Sequence, residues 1–94
     1  MNLFSENDQI MVITTKSILY GYKPVLYVSH DDDDGIWQFL DGEDVCEENA
    51  YIVSLSEILK IDDSLNSLYD LPRGYIAYRQ AKGDKWKREN LDSD

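Results

Sequence analysis

The sequence predicts an α+β domain with a mostly antiparallel sheet of about five strands, two short helices on one face and a C-terminal hairpin. Two observations carry this: short β-branched or aromatic runs precede the helical spacing, and another pair follows it. A third is the lack of any repeated strand–helix–strand alternation, which a parallel sheet would need.

Ile10 to Thr15 and Val25 to Ser29 read as strands, separated by Gly21 and Lys23-Pro24. Ile36 to Leu40 reads as a third strand between the turn dipeptides Asp34-Gly35 and Asp41-Gly42. Alternation puts Trp37 and Phe39 on one face and Ile36, Gln38 and Leu40 on the other, so this strand is expected to be central. Tyr51 to Ser54 reads as a brief strand leading into a helix. Its start carries the capping-box pattern Ser54-Leu55-Ser56-Glu57, with Ser54 at the N-cap and Glu57 at N3. Leu55, Ile58 and Leu59 form an apolar face that Asp62 interrupts. Asp62 or Asp63 is placed to cap a second helix through Leu65, Leu68 and Tyr69, ended by Leu71-Pro72. Tyr75 to Gln80 and Lys85 to Arg88 then read as a hairpin around a turn containing Gly83, with Trp86 in the return strand.

Ninety-four residues fit a single domain over 1–94, with 1–9 and 90–94 expected to fray. Apolar runs such as Ile10 to Ile13 are far shorter than the ~20 residues that span a bilayer, and the start of the chain lacks the pattern of a signal peptide. The cytoplasm is the expected compartment. Cys46 is the single cysteine, which excludes an internal disulfide and a cysteine-based metal cluster within one chain.

The formal net charge of −10 argues against nucleic acid and anionic membranes and favours basic protein partners. The charge is unevenly placed. Asp31 to Glu48 holds nine acids (Asp31, Asp32, Asp33, Asp34, Asp41, Glu43, Asp44, Glu47 and Glu48) and no Lys or Arg. Arg73 to Arg88 holds six bases against the single acid Asp84, so a marked dipole is expected.

An EF-hand alignment on Gly35 puts His30 at the first ligand position and Asp41 at the last, and both are wrong for a calcium loop. The flanks also read as strands, so the acidic run is expected to be a solvated turn with no dedicated metal site. His30 beside Asp31, or paired with Cys46, lacks an orienting third group, a nucleophile elbow or a phosphate loop. His30 is expected at a strand end facing solvent and Cys46 as a small, partly buried apolar residue. Adjacent aspartates also fail to isolate one carboxyl in an apolar pocket, as sugar hydrolysis requires. No enzymatic activity and no cofactor are expected. Trp86 stands among Lys85, Lys87 and Arg88, where it either covers the sheet edge or anchors a partner.

Asp33-Asp34-Gly35-Ile36-Trp37-Gln38-Phe39-Leu40-Asp41-Gly42-Glu43, then Asn49, Ser56-Glu57-Ile58-Leu59 and Leu71-Pro72-Arg73-Gly74, resembles a family of small bacterial α+β domains grouped with the predicted immunity proteins of polymorphic toxin systems. The match runs from about Met11 to Glu89. Ile36 departs from the pattern, standing where the family's glycine precedes the tryptophan directly. The resemblance implies a fold and a loose role and brings no catalytic residues. Together with the charge pattern it leads to an expected non-enzymatic protein-binding domain whose acidic residues and Trp86 meet a basic toxin domain or other protein. The alternative is a structural or regulatory domain that self-associates through a sheet edge.

Overall fold

The computed structural model describes residues 10–33, 35–42 and 50–90. Among the described residues six strands form one sheet: β1 (Met11–Thr15), β2 (Tyr27–His30), β3 (Trp37–Leu40), β4 (Ala50–Ser54), β5 (Tyr75–Tyr78) and β6 (Lys87–Asn90). Their order is β4-β1-β3-β2-β5-β6. Every neighbouring pair is antiparallel except β1 and β3, which run parallel with Ile13 opposite Gln38. The α+β expectation holds, with β3 inside the sheet as its two apolar faces required.

Helix α1 (Lys16–Leu19) follows β1 without a break and was not foreseen from the sequence. Thr15 closes the strand and caps the helix, its hydroxyl accepting from the Ile18 amide at 3.3 Å. Helix α2 (Leu55–Ile61) and a 3₁₀ helix (Asp63–Leu68) match the expected pair. Ser54 is the N-cap of α2, but its side chain makes no cap bond: its hydroxyl pairs with that of Ser56 at 3.0 Å, so the capping box does not form. Asp62 does cap the second helix, accepting from the Ser64 amide at 3.0 Å.

The strand registers place Val12, Thr14, Val28, Trp37, Phe39, Val53, Tyr75 and Ala77 on one face. The apolar members of that set pack with Ile18, Leu55, Ile58, Leu59, Leu65 and Leu68 in a single core cluster, so the helices all lie on this face. Thr14 is fully buried among apolar groups and is satisfied by donating to the Phe39 carbonyl at 2.8 Å. No helix among the described residues is long and apolar enough to cross a membrane.

The end of β5 is tied to the helical layer by a buried ion pair. Arg79, its side chain 0% exposed, donates Nη2 to Asp62 Oδ2 at 2.5 Å and Nη1 to Ser64 Oγ at 3.0 Å. Nε and Nη2 also bond the Val25 carbonyl at 3.1 and 2.9 Å. The Trp86 ring lies 4.1 Å from the guanidinium carbon. Trp86 is thus packed over Arg79 and against the core, and it precedes β6, which begins at Lys87 and not at Lys85 as the sequence suggested. Asn90, expected to fray, is the last residue of β6 and pairs with Tyr75.

Candidate functional site

β2 and β3 form a hairpin whose connection carries the aspartates. The Asp31 amide donates to the Ile36 carbonyl at 2.9 Å, and the Gly35 amide to the Asp31 carbonyl at 3.0 Å. Closing so short a loop needs a left-handed residue, and Gly35 supplies it at φ +72°. Asp32 and Asp33 are exposed on this turn, whereas Asp31 is half-buried and accepts from Gln38 Nε2 at 3.1 Å. The flanks are strands, so the turn has none of the helical frame of an EF-hand loop.

Asp31 reaches the sheet face opposite the helices, because Gln38 points there. By register that face also carries Met11, Ile13, Tyr27, Leu40, Ile52 and Tyr78. None of these belongs to the helix-side core cluster. Met11 is 57% exposed, Ile52 67% and Tyr78 37%, whereas Ser29 and Ile76, the neighbours of Gln38 on this face, are buried. The result is an apolar sheet face with an acidic turn at one end.

The registers also answer whether acids and bases meet. His30 opposes Trp37 and Tyr75 at one end of the sheet, while Tyr27 opposes Leu40 and Tyr78 at the other. The Asp31–Asp33 turn therefore leaves from one end, and the connection holding Lys82 and Lys85 leaves from the opposite one. Asp41 lies at the Lys82 end, with Lys23 Nζ 3.9 Å from its carboxylate. Acids thus flank both ends of β3, but the Asp41 side chain is only 9% exposed, so it is not the exposed partner-binding acid that the sequence suggested. The basic segment, however, is partly neutralised at home: besides Arg79, Arg88 donates to Asp70 at 2.7 Å and to the Ser67 carbonyl at 2.8 Å. That bond from Arg88 holds the Asp70 carboxyl below its ordinary value. Arg73 lies over the acidic turn, where a methyl group added to Gly35 would meet its guanidinium at 2.5 Å.

His30 is placed differently from its expected solvent-facing position. Its ring stacks on Trp37 with centroids 4.0 Å apart and planes at 16°. Nδ1 donates to the Leu71 carbonyl at 2.7 Å, since a carbonyl only accepts. The His30 carbonyl in turn accepts from the Gly74 amide at 2.7 Å. His30 thus ties the chain after the 3₁₀ helix to the end of β2, and Asp31, engaged by Gln38, is not its orienting partner. Among the described residues no group of three or more His, Cys, Asp or Glu is arranged to hold a metal ion.

Of the sequence-derived candidates, Asp31, Asp32 and Asp33 lie together, Asp41 lies at the far end of β3, and Trp86 covers Arg79. Asp34, Glu43, Asp44, Glu47, Glu48 and Cys46 lie outside the described residues. Sequence reading missed Gln38 as the anchor of Asp31 and missed the open face, although apolar residues at both parities of Met11 to Thr15 pointed to it. No known protein family, curated protein or solved structure matches the chain.

Proposed function

We propose that this chain is a non-enzymatic protein-binding domain that meets a basic protein partner through the β2–β3 turn and the adjoining open face. An immunity-type role, neutralising a toxin, is the form of this reading that the sequence resemblance favours. The observation that carries it is the acidic turn of Asp31, Asp32 and Asp33, held by Gln38 at one end of a sheet face whose margins expose Met11, Ile52 and Tyr78. Apolar contact area bordered by charge is the usual anatomy of a protein interface. The turn is held by its own backbone bonds and by Gln38, so little ordering is lost on binding. The net charge of −10 steers a cationic partner toward it.

The test is kinetic. A purified basic protein encoded beside this gene is measured for association with the wild-type chain and with an Asp31→Asn, Asp32→Asn, Asp33→Asn variant. At low salt the variant is expected to associate roughly tenfold more slowly, and wild-type association to slow as salt rises. Equal rates for the two chains, unchanged by salt, overturn the reading.

A further inference from the structure

The two edges of the sheet differ in kind. β6 ends one side with Lys87, Arg88 and Glu89, all exposed, and such charges discourage pairing with another strand. Among the described residues β4 ends the other side with Ala50-Tyr51-Ile52-Val53-Ser54, which carries no charge and leaves Ile52 67% exposed. A bare, apolar edge of this sort is a template for strand addition.

The hydrogen-bond phase of β4 can be read from its first neighbour. The Leu55 amide donates to the Ile10 carbonyl at 2.8 Å, one step beyond the Met11–Ser54 pair and in the same register. Bonded and non-bonded pairs alternate along an antiparallel ladder, so Val12–Val53 and Thr14–Tyr51 are the bonded pairs of β1 and β4. Ala50 and Ile52 therefore turn their amides and carbonyls away from β1, toward the open edge, and Ser54 turns its amide there while its carbonyl, as the N-cap, opens α2.

We infer that β4 is the seam of a two-fold dimer, pairing antiparallel with β4 of a second copy of this chain about Ile52. The outward-turned residues sit symmetrically about that position, so Ile52 exchanges both backbone bonds with its own copy. Ala50 then opposes Ser54 of the second copy, and Tyr51 opposes Val53 twice, an aromatic and β-branched pairing that strands favour. Ile52 shares its face with Met11 and Ile13, so the pairing joins two apolar strips into one across the seam.

The symmetry of the outward-turned residues about Ile52 selects a second copy as the occupant, and exposed charges of both signs flank the strand. Lys16 follows β1 at the Ala50 end, and Glu57 follows β4 at the Ser54 end; both are exposed. The two-fold operation brings the Ala50 end of one copy to the Ser54 end of the other, so each corner of the seam receives one Lys16 and one Glu57, and the chain also carries Glu47 and Glu48 just before Ala50. The net charge of −10 per chain opposes association, but charges farther apart than ~8 Å are largely screened at physiological salt.

The test combines crosslinking and sedimentation. In a Cys46→Ser background, Ile52→Cys is oxidised under mild conditions, with Lys87→Cys on the other edge as control. Cα atoms of a bonded antiparallel pair lie about 5.5 Å apart, within the range that a disulfide spans. A covalent dimer is expected from Ile52→Cys and not from Lys87→Cys. The wild-type chain is expected to approach twice its monomer mass as concentration rises, and Ile52→Glu to remain monomeric with an unchanged circular dichroism spectrum. A wild-type monomer throughout, a dimer that survives Ile52→Glu, or equal crosslinking at both edges overturns the inference. Partner binding is read separately by the asparagine variant of the acidic turn, which leaves this seam untouched.

Discussion

Arg79 reads in the sequence as one of six bases in an acid-poor stretch, yet its guanidinium is enclosed by Asp62, Ser64, the Val25 carbonyl and the Trp86 ring. A buried charge pair contributes little over an apolar pair of the same shape, but removing one member strands the other in a dry environment. Asp62→Ala and Arg79→Ala are each expected to lower unfolding free energy by about 3–5 kcal/mol, measured by urea denaturation. Arg79→Lys keeps the charge but loses the two bonds to one carbonyl and the planar stack on Trp86. Its expected loss is smaller, about 1–3 kcal/mol. Gly35 is a second residue whose chemistry is set by backbone. At φ +72° an alanine adopts an unfavourable conformation and its methyl group displaces the Arg73 side chain. Because that side chain is exposed, the conformational part dominates, and Gly35→Ala is expected to lose about 1–2 kcal/mol in the same assay.

At the scale of elements, the caps and edges separate what the sequence showed from what it hid. Ser54 and Asp62 are both cap-type residues, but Asp62 accepts from the Ser64 amide whereas the Ser54 hydroxyl pairs with Ser56. Ser54→Ala is therefore expected to lose less than the ~1 kcal/mol of a working N-cap, read as a shift in melting temperature. The α+β class, the central β3 and the two helices were legible because alternation and helical spacing act locally: Trp37 and Phe39 are buried together, as are Leu55, Ile58 and Leu59. Helix α1 was not, because four residues are too few to show a period and its cap, Thr15, belongs to a strand. The start of β6 was misplaced because Trp86 serves Arg79 across the hairpin, a contact made by tertiary structure and not by strand spacing. The exposed turn was legible as a run of acids. Its anchor Gln38 was not, since a polar residue in a strand carries no mark of what it will meet.

For the whole molecule, two carboxylates make stability depend on pH in a defined direction. Burial pushes the Asp62 carboxyl up, but hydrogen bonds from Ser64 and Arg79 together with the Arg79 charge outweigh it and leave it below its ordinary value. Asp70 is lowered by its hydrogen bond from Arg88. In the unfolded chain both take up protons near their ordinary value of 3.8, before the folded chain does. The unfolded state thus binds more protons in this range, so stability rises with pH there. The contribution is complete once both states are ionised, above about pH 5, and is lost as pH falls through the lowered folded values. Melting temperature followed by circular dichroism is expected to be level in this respect from about pH 5 to 6 and to fall below about pH 4. Asp62→Asn removes the titrating group that is bound to buried Arg79. It is expected to melt lower than wild type at pH 6 and to show a shallower decline toward pH 3, bringing the two curves together in acid. Parallel curves over that interval would mean that Asp62 does not carry the acid limb. Asp70→Asn, at an exposed pair screened by water and salt, is expected to change the curve far less.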